Sequence, residues 1–173
     1  MSWLGEIGRG LLNEFTDLPS AEQAARFVAR LLVAAVLGGM LGYEREQAGK
    51  AAGLRTHMLV ALGAAFFTLI PVPGTPEYEA ALSRVLQGLV AGIGFLGAGA
   101  ILKQSEAGII RGLTTAASIW FTAAVGASVG AGRLVAAVLG TVLALVVLAV
   151  LGRLESRSAR DEDRAARPPT NRP

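Results

Sequence analysis

Cysteine is absent from this sequence, and His57 is its single histidine. Those two shortages exclude disulfide scaffolds, thiol nucleophiles, zinc clusters and haem attachment, all of which need cysteines or several imidazoles at set spacings. Charge is scarce as well: 17% of the 173 residues are charged against 53% hydrophobic, and mean hydropathy is +0.52. Soluble domains carry about a quarter charged residues, so this balance is that of a membrane protein. The long apolar segments contain no Asp or Glu at all. A proton-coupled pump needs a titratable relay inside the membrane and is excluded on that ground. No serine–histidine–acid set and no phosphate-binding loop is present, so neither enzyme activity nor a cofactor is expected.

What is present is five apolar segments, at residues 27–43, 57–72, 85–102, 113–129 and 134–151. Each is at the short end of what a hydrocarbon core of about 30 Å asks of a helix, and each is expected to extend into its flanks. The fold class is therefore all-α: a polytopic membrane domain of five transmembrane helices over residues 21–152. Ser20 with Gln23 three positions on is a capping box that starts the first helix near Ala21, with Arg26 and Arg30 snorkelling back to the surface. Before it, Trp3, Leu4, Ile7, Leu11, Leu12 and Phe15 recur at helical spacing. Residues 1–20 are read as an amphipathic segment lying in the membrane interface, or else as a frayed helix with a sticky side. They lack the features of a signal peptide, so the mature chain is expected to begin here. The tail, residues 153–173, mixes charge with proline and no apolar period, and is expected to be disordered beyond its first turn or two.

Arg and Lys near span ends set orientation. Arg9, Arg26, Arg30, Arg84 and Arg133 fall on one side. They are outnumbered by Arg45, Lys50, Arg55, Lys103 and Arg111 of the first and third loops together with the arginines of the tail. The N-terminus is therefore expected outside the cell and the tail in the cytoplasm. The high pI of about 9.9 comes from this distribution, and nucleic acid is not expected as a partner.

Two stretches can be overlaid, "LVAAVLGGMLG" from Leu32 and "LVAGIGFLGAG" from Leu89, and each is followed by a loop closing on Gly-Leu-x-Thr, at Gly53 to Thr56 and Gly112 to Thr115. Spans one–two and three–four would then form a parallel two-helix repeat with a fifth helix added, the alternative being chance matching between Gly/Ala-rich helices. Gly38 and Gly42 make a small-xxx-small face, as do Gly88 and Gly92, and "GIGFLGAGA" sets Gly92, Gly94, Gly97 and Gly99 close together. Such glycines either let helices approach closely or mark a bent helix exposing carbonyls to a cavity.

The charged break "GYEREQAGKAAGLRTH", Gly42 to His57, interrupts two apolar runs. Glu46 and Lys50 stand in the favourable acid-first i,i+4 order. His57 at the interface is expected to be a solvated cap. On the same side lies "KQSEAGIIRGLTT", and together the two loops are expected to form a cluster of Glu44, Arg45, Arg55, Thr56, Arg111, Thr114 and Thr115, with Gly112 at the second turn.

These two stretches, "LGYEREQAGKAAGLRTHMLVALGAA" and "AGIGFLGAGAILKQSEAGIIRGLTTAASIWFTAAVGASVG", resemble the signatures of the MgtC/SapB family of bacterial inner-membrane proteins over roughly Leu31 to Leu151. The resemblance implies a five-span domain with a periplasmic N-terminus. It marks Glu44, Arg45, Gly53, Leu54, Arg55 and Thr56, and in the second stretch Gly94, Phe95, Gly97, Gly99, Arg111, Gly112, Leu113, Thr114 and Thr115. It also implies a link to survival at low magnesium and restraint of the membrane ATP synthase. MgtC-like members carry a cytoplasmic domain after the fifth span, whereas only an arginine-rich tail follows here, which is nearer the short SapB-like members. Magnesium wants octahedral oxygen ligands including carboxylates, and the spans offer only hydroxyls and amides. Two readings are open: a small regulatory or interaction protein, acting on a membrane partner such as the ATP synthase or as a homo-oligomer in the bilayer, or a cation (Mg2+) channel or transporter. No metal-binding residue is assigned.

Overall fold

A computed structural model describes residues 3–14, 20–102 and 112–166, and among them every regular element is an α-helix. In order these are α1 (Trp3–Glu14), α2 (Ala21–Gln47), α3 (Leu54–Leu69), α4 (Tyr78–Leu102), α5 (Leu113–Gly130) and α6 (Leu134–Ala166). α2 starts at its sequence-coded cap, with the Gln23 amide donating to Ser20 Oγ at 3.1 Å. It ends at Gly49, whose φ of +65° is a conformation glycine adopts without steric cost. There Lys50 N–H donates to the Arg45 carbonyl and Gly49 N–H to that of Glu46, both at 3.0 Å. This is a Schellman stop, and Gly132 ends α5 in the same way. Both Gly-Leu-x-Thr stretches open a helix, but with different backbones: φ is −104° at Gly53 and +91° at Gly112.

α2, α4 as Tyr78–Ile101 and α5 are long and apolar enough to cross a membrane, while α3 and the stretch Leu134–Val150 are shorter apolar helices. The 16 residues of α3 rise about 24 Å, short of a core of about 30 Å. α3 packs on α2 and α5, α4 lies chiefly on α5, and α6 touches α5 and α2; α1 makes no contact with another described helix. Where the sequence suggests a disordered tail after Gly152, α6 continues to Ala166. No Gly or Pro interrupts 153–167, and Arg157 with Asp161 has the i,i+4 spacing that supports a helix.

The bundle is apolar outside and partly polar inside. Leu32, Val36, Leu59, Phe66, Val90, Leu139 and Leu143 are exposed, and Phe95 is 82% exposed. Buried are Arg45, His57, Thr68, Thr115, Ser118, Thr122 and Thr141, among small core residues such as Ala34, Ala61, Ala65 and Ala127. Water would not tolerate so extensive an apolar surface. Lipid would.

Candidate functional site

Three stripes at four-residue spacing, of small residues except for His57, bring the helices together: Ala34, Gly38 and Gly42 on α2, His57, Ala61 and Ala65 on α3, and Ser118, Thr122, Gly126 and Gly130 on α5. A Cβ on Gly38 would lie 2.6 Å from Ala61 Cβ, and one on Gly42 2.7 Å from Leu54 Cα. On α5, a Cβ on Gly126 would run into the Ala61 carbonyl oxygen and lie 2.8 Å from Ala61 Cα, and one on Gly130 would lie 2.9 Å from Ala65 Cα. α3 is thus gripped on two sides by backbone, the contact that must hold helices together where lipid removes the hydrophobic force between them.

At the α2–α3 end this grip buries polar groups. His57 is fully buried, not the solvated cap expected from its place beside a charged loop, because Gly42 lets α2 close over it. Its Nδ1 is 2.9 Å from the Gly53 carbonyl and its Nε2 3.2 Å from Ser118 Oγ. A carbonyl only accepts, so Nδ1 carries the hydrogen that faces it. The single Ser118 hydroxyl hydrogen is shared between Nε2 and the Thr115 carbonyl, 2.8 Å away, and Thr122 Oγ1 donates to the Ser118 carbonyl at 2.8 Å. One imidazole therefore ties the start of α3 to the first turns of α5.

Beside it, Glu44 accepts from both Nε and Nη2 of Arg45. The arginine side chain is 3% exposed and the glutamate 22%. A charge so buried is expensive unless paired. Glu46 acts elsewhere. Its Oε2 accepts from the Leu54 amide at 2.9 Å, satisfying an orphan donor at an α3 start whose cap, Gly53, has no side chain.

Of the cluster expected from sequence, the structure brings Glu44 and Arg45 together and buries Thr115, but Arg55, Thr56 and Thr114 are exposed. Arg111 lies outside the described residues. Gly112 caps α5, and a Cβ there would meet the Ala100 carbonyl at 2.9 Å. Among the described residues the row on α4 is not a close-contact seam: an added Cβ at Gly92, Gly94 or Gly99 meets nothing within 4 Å, and at Gly97 it makes an ordinary 3.5 Å contact with Ala116. Sequence alone assigns no contact to Ser118, Gly126 or Gly130, and it places His57 and Arg30 only at the membrane boundary. Arg30 does not simply snorkel; its Nη1 donates to the Gly130 carbonyl at 3.0 Å, at the C-terminus of α5. The regular spacing of Ser118, Thr122, Gly126 and Gly130 was the signal for the α5 positions.

Apolar flanks around hydroxyls, an imidazole and a buried ion pair define an all-α, multi-pass membrane protein. The chain belongs to the MgtC family, whose model matches residues 31–157. It is 44% identical to protein SrpB of Synechococcus elongatus over 136 residues, 73% of this chain and 75% of SrpB. To YhiD of Escherichia coli K12, by its name a candidate magnesium transporter, it is 41% identical over 139 residues, 77% of this chain and 64% of YhiD. To MgtC of Brucella abortus it is 45% identical over 127 residues, 73% of this chain and 52% of MgtC. The chain thus spans a little under two thirds of YhiD and about half of that MgtC. No solved structure matches it.

Proposed function

We propose that this chain is a regulatory or interaction protein of the bacterial inner membrane serving magnesium homeostasis, without enzymatic activity of its own. In this reading α2 to α6 cross the membrane as five spans, with the N-terminus periplasmic and the C-terminus cytoplasmic. The observation that carries the reading is the closed interior. Magnesium keeps a tight octahedral shell of oxygens, most of them waters, whereas α3 meets α2 and α5 at backbone contact along two glycine-bearing stripes, one on each of those neighbours. The hydroxyls there are already bonded to helix carbonyls: Thr68 to Ala64, Ser118 to Thr115, Thr122 to Ser118 and Thr141 to Ala137. Work on magnesium is then done through a membrane partner, the ATP synthase being the one the family resemblance brings forward. The competing reading, a magnesium channel or transporter, is favoured by the name of YhiD.

Purified chain in liposomes is expected to give no magnesium flux above empty liposomes, while cells lacking it grow poorly at low magnesium with unchanged initial uptake. Saturable flux in liposomes would establish the transporter reading instead. For orientation, a reporter inserted at Gly74 is expected to read periplasmic and one after Gly152 cytoplasmic; the reverse pattern would overturn the topology.

A further inference from the structure

α4 lies on α5 and leaves most of its surface exposed, and a groove of about 570 Å³ runs between it and α3. Its floor is shaped by the missing side chains of Gly63, Gly88 and Gly92, at each of which an added Cβ meets nothing within 4 Å. Phe67 and Leu96 wall it, and Arg84 stands at the end near the α4 N-terminus. From Arg84 to Leu96 the helix rises about 18 Å, close to the ~15 Å depth of one leaflet of a ~30 Å core. A second groove, of about 380 Å³ between α4 and α5, repeats the plan with Arg133 at the same end. Neither arginine has an ion-pair partner among the described residues.

We propose that the α3–α4 groove holds one acyl chain of an anionic phospholipid, with the lipid phosphate paired to Arg84. An apolar slot one leaflet deep with a cation at its surface end matches an amphiphile with an anionic head and an apolar tail. Arginine forks onto phosphate oxygens in a way that ammonium or hydroxyl groups do not. A second copy of the chain is the poorer occupant. Two-fold association about an axis along the membrane normal would set one Arg84 against the other at the same depth, adding like-charge repulsion where the phosphate supplies attraction.

The glycines make the test clean, because Gly92→Leu adds bulk at a position that lines the slot and where an added Cβ meets nothing within 4 Å. Full-length protein in neutral detergent is melted with phosphatidylglycerol, with phosphatidylcholine of the same chains, and with inorganic phosphate, and its retained lipid and oligomeric mass are read by native mass spectrometry. Wild type is expected to rise in Tm and retain lipid with phosphatidylglycerol. Gly92→Leu, melting normally without lipid, is expected to lose both responses. Gly94→Leu, on the same helix but lining neither groove, keeps them. Arg84→Gln is expected to still take up lipid but to lose roughly fivefold in preference for phosphatidylglycerol over phosphatidylcholine, the share of one arginine at an anionic surface. The proposal is overturned if Gly92→Leu binds phosphatidylglycerol as wild type does, or if Arg84→Gln keeps the full preference. It is equally overturned if inorganic phosphate alone reproduces the Tm rise, or if Gly92→Leu turns a dimer into a monomer without changing retained lipid.

Discussion

Gly126→Ala is expected to cost the bundle its fold, although it adds one methyl group. The new Cβ has no free direction: it meets the Ala61 carbonyl oxygen and sits 2.8 Å from Ala61 Cα, both backbone atoms of α3. A flexible side chain could turn aside, but backbone can yield only if the whole helix moves. That movement separates α3 from α5 and exposes the hydrogen bond between His57 and Ser118. Overpacking typically costs about 1–3 kcal/mol, and a clash with rigid backbone belongs at or above the top of that range. Gly92→Ala and Gly99→Ala, each with nothing within 4 Å of the added atom, are expected to melt as wild type or slightly higher, since alanine is the better helix former by up to about 1 kcal/mol. Melting in detergent with size-exclusion profiles checks this: Gly126→Ala melting like wild type would remove backbone contact as the basis of the α3–α5 interface.

The contrast between these glycines explains what the sequence could and could not disclose. Helix existence was legible, because apolar runs and the Ser20 cap are local signals. The inside-out character followed from composition. Which glycines touch another helix was not local. "GIGFLGAGA" is the densest run of glycine in the chain, yet Gly92, Gly94 and Gly99 are exposed and Gly97 alone of the four faces a described neighbour, α5, at ordinary contact distance. The sparser four-residue ladder of Ser118, Thr122, Gly126 and Gly130 faces α3, where Ser118 meets His57 and the two glycines meet Ala61 and Ala65. Density drew attention where periodicity held the information.

Charged positions divide along the same line. Glu44 and Arg45 are adjacent in sequence and pair through a local geometry that their neighbourhood suggests, whereas Arg55, the second residue of α3, is exposed. His57 reads as a boundary residue because a charged loop precedes it, and only the closeness of Gly42 to its Cβ, 2.9 Å for an added methyl, reveals that a helix lies over it. The end of α6 differs for another reason: polar composition suggests disorder, although a segment free of Gly and Pro can remain helical in solvent.

Glu44→Gln is expected to destabilise the protein more than Arg45→Met, although both remove the same ion pair. With glutamine in place, the Arg45 guanidinium stays charged at 3% exposure, without the carboxylate that balances it. Breaking a buried pair from one side costs about 3–5 kcal/mol, and the 22% exposure of Glu44 places this case toward the lower figure, since some water already reaches the pair. With methionine in place, the lone charge is Glu44, which that same exposure lets water hydrate, and the aliphatic stem still fills the arginine's space. The double variant Glu44→Gln with Arg45→Met carries neither charge and is expected to be more stable than Glu44→Gln alone, so the two substitutions must couple. Arg55→Gln, at an exposed position, should stay within about 0.5 kcal/mol of wild type, as surface changes usually do. Unfolding in detergent across the four-protein cycle measures the coupling, repeated at high salt because a buried pair is screened far less than an exposed one. Additive effects, or coupling that vanishes with salt, would show that Arg45 is reached by solvent and that the pair is an ordinary surface contact.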